Sequence, residues 1–412
     1  MRILIVTQYF WPENFRINDL VSDLVIRNHQ VTVLTGVPNY PTGKTDTGFS
    51  ENSSKYNEYQ GAEVVRVPMV VRGKSNIQLV LNYLSFALMA STVGVYKLRK
   101  KEFDVVFAFE PSPITVGLPA ILLRRLKKSP LIFWVLDLWP NTLRAIGVVR
   151  SELILKTIGL LVSFIYKRCD LILGQSKSFL PEIQFYSGDK KRVEYFPSWA
   201  ESLFQPPESS GRSIVSHSYF NVLFAGNVGE AQDFPSILNA VELLREDSRI
   251  HWTIVGDGRM FNWLEQEVNQ RGLNESISLV GRHPVEKMPE FFQQADVLLV
   301  SLKNEPVFSM TIPGKLQAYL MAGKPILAML NGEGARIVTE SGCGIACSSG
   351  DVRCLANAVR KLAHMSSYDR ETMGKRGHQY SAKEFDREML ISRLEKWMIE
   401  LSDMDVHSRV ER

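Results

Sequence analysis

The chain has 412 residues, 45% of them apolar and 22% charged, which excludes a disordered protein and, at this length, predicts two domains of about 150 to 200 residues rather than one core. A net charge of +4 is too mild to argue for nucleic acid, and no basic stripe interleaved with aromatic rings stands out. The cysteines Cys169, Cys343, Cys347 and Cys354 contain no C-x-x-C pair, and the nearest downstream histidine is His364; free reduced thiols, no zinc site and a cytoplasmic location are expected.

Met1-Arg-Ile-Leu-Ile-Val is too short an apolar run for a signal peptide and reads as a first strand. A strand over 2–7, a helix over 17–27 and a strand over 30–35 open a βαβ unit. The turn between the first strand and the helix, residues 8–14, holds no glycine, whereas a dinucleotide fold needs G-x-G-x-x-G there. A loop over 36–44 then runs into a polar segment to about Gly61, and loops of that length are functional or mobile. Further strands are expected over 62–71, 103–109, 131–135, 171–174 and 193–195.

Three apolar segments lie between these strands, at 77–96, 113–126 and 153–166. Each ends in cations: Lys97 to Lys101, then Arg124, Arg125, Lys127 and Lys128, then Lys167 and Arg168. The first is long enough to span a bilayer, but it contains Gln78, Asn82 and Ser85 and is followed by a strand of the same sheet, which favours a helix on a soluble domain. The recurring pattern predicts an interfacial surface for anionic lipid headgroups; sheet-covering helices with solvated basic ends produce the same pattern.

At the end of the 131–135 strand stands Asp137-Leu-Trp-Pro140. Ligands of open parallel sheets collect beyond the carboxyl ends of strands, so Asp137 is a candidate for polarising an attacking hydroxyl or holding an acceptor. A helix cap or loop anchor is the competing reading. Residues 197–207 read as a link, followed by a polar stretch through 218. A second alternation begins there, with strands at 221–225, 251–255, 277–280 and 297–302 and helices starting near 233, 260 and 285. Its strand-end turns, Gly226-Asn227-Val-Gly229, Gly256-Asp-Gly258 and Gly281-Arg282, let backbone approach a ligand.

The stretch 309–325, SMTIPGKLQAYLMAGKP, reads as a loop feeding a short helix. Pro313 suits its first turn and Gly323 the residue past its end. Leu316, Tyr319, Leu320 and Gly323 share one packing face, which leaves the N-terminal N–H groups free for an anion. Lys315 in the first turn is unfavourable beside the positive end of the helix dipole unless an anion is bound.

This stretch resembles the donor-binding signature of the retaining, family 4 glycosyltransferases of GT-B fold: a glutamate, seven residues, a second glutamate, a hydrophobic helix and a G-x-P turn. The helix and turn, AYLMAGKP, match, and the two carboxylate positions fall on Ser309 and Gln317. Residues 11–19, the Gly-Val-Pro-Asn-Tyr-Pro loop at 36–41, and 309–315 resemble more narrowly the WbuB-like bacterial O-antigen and capsule N-acetyl-L-fucosamine transferases. The resemblance implies an α/β chain with two Rossmann-like parallel-sheet domains facing a cleft: an acceptor domain over 1–200, a nucleotide-sugar domain over 201–379, and a C-terminal helix over 380–412 packing back on the first, with a polar, frayed tail from 402. It further implies transfer of a sugar, such as an N-acetylated hexosamine, from UDP to a polyprenyl-diphosphate-linked saccharide, with retention, on the inner face of the plasma membrane.

Carried over residue by residue, the resemblance puts Gly226, Asn227, Gly229, Gly256, Gly258, Arg282, Ser309, Met310, Thr311, Lys315 and Gln317 around the donor. Gln317 would hold the ribose and Lys315 the phosphates, with Arg282 in reserve, because Asn227 and Asp233 stand where many members carry a basic pair. Glu333 or Arg336 would face the sugar. Tyr9, Asn39, Tyr40, Lys44 and Trp139 would line the acceptor side, and Asp137 and Lys315 would be catalytic. No D-x-D pair ends a strand, so neither a metal nor a cofactor beyond the UDP-sugar substrate is expected; the helix N-terminus and Lys315 would stabilise the departing UDP. Two other classes compete. A UDP-sugar 2-epimerase needs an acid/base set that no residues here supply, and a catalytically silent sugar-nucleotide-binding protein would account for Ser309.

Overall fold

The computed structural model describes residues 1–41, 43–73, 75–206 and 219–410; the polar stretch expected after the link, up to Ser218, lies largely outside them. The chain divides into two compact units, Met1–Pro197 with Glu388–Arg412, and Ser198–Arg387. The return to the first unit starts at 388 rather than 380, because the helix Ser367–Glu384 belongs to the second. There His378 Nδ1 lies 2.8 Å from the Met321 carbonyl, and Gly374 packs directly on the backbone of Gly323.

In the first unit eight strands, β1 (Arg2–Val6), β2 (Gln30–Thr35), β3 (Glu58–Tyr59), β4 (Ala62–Arg66), β5 (Val105–Glu110), β6 (Leu131–Val135), β7 (Leu171–Gly174) and β8 (Arg192–Tyr195), form one sheet ordered β3-β4-β2-β1-β5-β6-β7-β8. All neighbours are parallel except β3 and β4. Strands β5 and β6 are buried along their whole length, as a sheet covered on both faces demands. β4 stops at Arg66, short of the expected 71, because its neighbour β2 ends at Thr35, opposite Arg66; the Arg66 guanidinium donates to the carbonyls of Gly36 and Trp11.

Successive connections from β4 to β8 move in one direction along the sheet, so right-handed crossovers put their helices on one face. These are Asn76–Met89 with its continuation to Leu98, then Gly117–Lys127, Glu152–Tyr166 and Phe179–Ser187. The stretch Ile77–Leu98 is apolar and long enough to cross a membrane, yet Tyr83, Phe86, Ala87, Ala90 and Leu98 pack inward. Its outer side leaves Ile77, Val80, Leu81, Leu84, Leu88 and Tyr96 exposed, and the 152–166 helix leaves Leu153, Ile154, Leu160 and Phe164 exposed. Each helix closes with an arginine stacked on its last outward ring, Arg99 on Tyr96 at 3.9 Å and Arg168 on Phe164 at 3.6 Å.

The expected basic cluster at 124–128 is only partly free. Arg124 makes a two-pronged bond to Asp170, at 2.7 and 2.6 Å, and Lys127 donates to the carbonyls of Leu98, Arg99 and Lys101, closing the C-terminal end of the preceding helix. Arg125 and Lys128 remain exposed. The C-terminal helix Arg387–Val410 continues through the tail expected to fray at 402. It is held to the first unit by Leu390, Ile391, Leu394 and Met398, all buried, and by Glu395 on Arg27 and His29.

In the second unit β9 (Phe220–Ala225), β10 (Ile250–Val255), β11 (Ile277–Gly281), β12 (Val297–Ser301), β13 (Ile326–Met329) and β14 (Gly344–Cys347) form a parallel sheet ordered β11-β10-β9-β12-β13-β14. The expectation of four free thiols is corrected here. Cys347 ends β14, Asp351 caps the next helix by accepting from Cys354 N, and this turn brings Cys347 and Cys354 into a disulfide with Cα atoms 5.7 Å apart. Cys169 and Cys343 are free and buried.

Candidate active site

Each unit gathers functional side chains at the carboxyl ends of its strands, where a parallel sheet leaves a crevice between turns. In the second unit the turns after β9, β10 and β11 are hydrogen-bonded in series: Gly226 N to Val255 O at 2.8 Å, Val228 N to Asp257 O at 2.9 Å, and Gly256 N to Gly281 O at 2.8 Å. A Cβ on Gly256 would come within 1.8 Å of the Gly226 carbonyl, so only glycine allows the two turns to nest. Gly229 N donates to Gln232 Oε1 at 3.1 Å, and Ser301 Oγ ties Gln232 O to the end of β12 at 2.7 Å.

The helix Gly314–Met321 starts beside these turns, with Pro313 as a cap that offers no side-chain bond to its first N–H groups. Leu316, Tyr319 and Leu320 are fully buried, as their spacing predicts. The Tyr319 hydroxyl accepts from Ala225 N at 3.0 Å and donates to Ala225 O at 3.2 Å, which fixes the helix against the last residue of β9. This clamp has no signature in the sequence beyond an aromatic on the packing face.

Lys315 is the electrostatic centre of the unit. The residue is partly exposed, but its ammonium nitrogen is buried and meets no hydrogen-bond acceptor among the described residues. It lies 3.6 Å from the centroid of the Phe224 ring and close to Gly226. Burial pulls its pKa down to about 7, and the adjacent helix N-terminus opposes its charge as well. The ring offers partial compensation. An anion at this point would satisfy the ammonium, the uncapped helix N–H groups and the glycine turns together.

The other expected donor residues divide. Asn227 is exposed next to Gly226, and Gly258 packs on the Val228 carbonyl. Gln317 is buried and gives its amide to the Ser198 carbonyl at 2.6 Å, a structural bond that competes with any ribose contact. Ser309 Oγ and Thr311 Oγ1 turn back to the carbonyls of Glu305 and Val307, at 3.4 and 2.9 Å, while Met310 ends the same short helix, half-exposed. Gly332 packs on the Ser309 carbonyl, 1.9 Å from where its Cβ would be. Arg282 is exposed directly after β11. Glu333 and Arg336 bind each other at 2.6 Å, so neither charge stands alone.

In the first unit Asp137 follows β6 and accepts from Trp139 Nε1 at 3.2 Å; the hydroxyls of Ser112 and Thr142 and the Leu138 amide also support it. It does not cap the helix Asn141–Ala145, which has no side-chain cap. Burial raises its pKa against these bonds. The neighbouring strand β5 ends in a second acid, Glu110, with Leu136 N on its carbonyl at 3.0 Å. The Glu110 side chain is fully buried. Among the described residues its carboxyl oxygens have no hydrogen-bond partner of good geometry, although the amides of Leu136 and Asp137 favour its charged form. Burial, reinforced by the charge of Asp137, raises its pKa well above the usual carboxyl range. An acid closing an apolar strand is the sequence signal that singles out Asp137, and Glu110 carries the same signal.

Of the expected acceptor residues, Tyr9 and Tyr40 meet directly, and Trp139 meets Tyr83. Tyr9 stacks on Phe15 at 5.5 Å and touches Tyr40 at 5.3 Å; Tyr83 meets Trp139 at 6.1 Å. Asn39 is structural: it is buried, its amide donates to Val37 O at 2.7 Å, and its oxygen accepts from Arg72 N at 2.8 Å. Its support is Glu13, which no motif singles out in the sequence: the Glu13 carboxylate accepts from the amides of Asn39 and Tyr40 at 2.7 and 2.6 Å and braces the 36–41 loop on the 8–14 turn. Tyr40 stays exposed at the rim, and Lys44 is exposed farther along the loop.

Residues 219–365, within the second unit, match the family model described as "Glycosyl transferases group 1". The probable glycosyltransferase WbjE of Pseudomonas aeruginosa is 27% identical over 279 residues, covering 65% of this chain and 68% of its own. The putative colanic acid biosynthesis glycosyl transferase WcaI of Escherichia coli is 24% identical over 340 residues, covering 78% and 82%. Among solved structures, Anabaena Alr3699/HepE in complex with UDP aligns with a TM-score of 0.70 over 97% of this chain and all of its own, at 14% identity. WaaG, a glycosyltransferase involved in lipopolysaccharide biosynthesis, aligns with a TM-score of 0.66 over 97% and 99%, at 14% identity. The fold is GT-B.

Proposed function

We propose that this chain, a group 1 glycosyltransferase of GT-B fold, transfers a sugar from a UDP donor to a lipid-linked saccharide in bacterial polysaccharide assembly. One observation carries the reading: the Lys315 ammonium is buried without an acceptor, where an uncapped helix start meets nested glycine turns. The diphosphate of a sugar nucleotide supplies the missing charge. As the bond from the anomeric carbon to the diphosphate breaks, negative charge grows on the leaving oxygen, and Lys315 with the 314–321 helix N-terminus stabilises it. The relatives named for colanic acid and lipopolysaccharide assembly, and the neighbour holding UDP, support the donor and the pathway class.

In the first unit Asp137 takes the proton of the acceptor hydroxyl; burial raises its pKa and so makes its carboxylate a stronger base. Retention of configuration and an N-acetylated hexosamine such as N-acetyl-L-fucosamine complete the proposal. The exposed apolar sides of the 76–98 and 152–166 helices, closed by Arg99 and Arg168, would rest on the anionic inner face of the plasma membrane. Incubation with UDP-N-acetylhexosamines, with and without membrane lipid extract, tests the reading. UDP released only when lipid is present supports transfer, interconverted sugar would instead establish epimerisation, and UDP binding without turnover would establish a silent binder.

A further inference from the structure

We propose that Arg72, set among Tyr9, Tyr40 and Tyr83, is the seat for a phosphate group carried by the acceptor; this rests on the first unit being the acceptor side. Arg72 lies between β4 and the 76–89 helix and is half-buried. Its backbone N–H is pinned by Asn39 Oδ1 at 2.8 Å, its Nη1 donates to the Tyr9 hydroxyl at 3.3 Å, and its guanidinium lies 5.4 Å from the Tyr40 ring centroid. The Tyr83 hydroxyl is also within its reach.

The contrast with other arginines decides what this one is for. Arg2, Arg27, Arg124, Arg271 and Arg336 each face a carboxylate. Arg66 forms no ion pair among the described residues, but it spends its guanidinium on two carbonyls and feels the charges of Glu13 and Asp46. Among the described residues Arg72 forms no ion pair, and its side-chain partners are neutral phenols. A guanidinium presents a planar fork of donors that matches phosphate oxygens in two-pronged fashion, and phenol hydroxyls can turn to donate to the same oxygens.

The position fits an acceptor phosphate. Tyr83 contacts Trp139 and lies within hydrogen-bond reach of Ser112 as well as Arg72, and Ser112 in turn supports Asp137. A phosphate on Arg72 therefore sits in the same side-chain cluster as the proposed base. It also sits at the start of the helix whose outer side exposes Ile77, Val80 and Leu81, so an isoprenoid chain attached to the phosphate could follow apolar surface. Bulk lipid headgroups carry the same chemistry, and the test separates the two sources.

Binding of geranyl diphosphate is measured by calorimetry with UDP saturating, so that a phosphate site at Lys315 is already filled. The expected result is binding by the native chain, at least tenfold weaker binding by Arg72→Gln, and an intermediate affinity for Arg72→Lys. UDP affinity and co-sedimentation with phosphatidylglycerol vesicles should be unchanged in both variants. Geranyl diphosphate affinity unaltered by Arg72→Gln, or no binding by the native chain, overturns the proposal; so does a loss confined to the vesicles, which would give Arg72 to bulk headgroups. Because UDP is read separately, a failure of the donor assignment appears in that arm alone, and intact UDP binding shows that each variant is folded. Tyr83→Phe, which keeps the ring, should weaken geranyl diphosphate about threefold, the scale of one neutral hydrogen bond.

Discussion

The two strand-end clusters bury opposite charges by the same means. In the second unit the Lys315 ammonium is sunk between a ring and a glycine turn and meets no hydrogen-bond acceptor among the described residues. In the first, two carboxyl groups, Glu110 and Asp137, close adjacent strands among phenols and an indole. Loss of hydration disfavours the charged form in both, which lowers the lysine and raises the acids. The difference teaches what each unit awaits. A suppressed cation gains from an arriving anion, whereas an acid raised toward neutrality can hold or take a proton from a hydroxyl.

The sharpest way to break this contrast is Asp137→Asn, which should lower kcat by about a hundredfold or more, the scale of a lost general base, while leaving UDP affinity intact in calorimetry. A rise in KM with kcat retained would make Asp137 an anchor rather than a base. Next in size, Lys315→Ala should weaken UDP binding by about 2 to 3 kcal/mol, as expected for a charge-assisted contact. Unchanged UDP affinity would remove Lys315 from the donor site.

The pH dependence sharpens the cation side. With its pKa near 7 in the free protein, Lys315 must gain a proton when a diphosphate binds above that pH. UDP affinity should then fall by up to about tenfold per pH unit above 7, with proton uptake approaching one in calorimetry repeated in buffers of different ionisation enthalpy. Affinity flat across this range would mean that Lys315 is already charged. The same shift makes free-protein stability rise with pH between about 7 and 10.5, because the unfolded chain binds more protons there.

The smallest effect concerns Glu110. Its raised pKa gives a contribution that is fully present at acid pH and lost as pH climbs through the folded value, when the buried carboxyl must ionise. Glu110→Gln removes that loss, so the variant should match the native chain at about pH 5 and exceed it by about 1 kcal/mol near pH 9 in thermal unfolding. A native advantage that grows with pH would show that the carboxylate is stabilised by partners instead.

Much of this molecule was written in local pattern. Alternating apolar runs and helical spacing give the parallel sheets, and Pro313, Leu316, Tyr319, Leu320 and Gly323 define the 314–321 helix within one residue, because helix ends and packing faces are set by near neighbours in sequence. Lys315 and Asp137 could be chosen for the same reason, one in a first turn and one just past a strand. Their partners could not. That Lys315 lies over Phe224, that Gln317 is taken by Ser198, that Glu110 neighbours Asp137 and that Cys347 reaches Cys354 are decided by which strands lie side by side and how turns nest. Burial of a charge depends on every chain segment packed around it, so only the tertiary structure could tell which cations were spent, as Arg124 and Lys127 are, and which, like Arg72 and Lys315, have no ion-pair partner among the described residues.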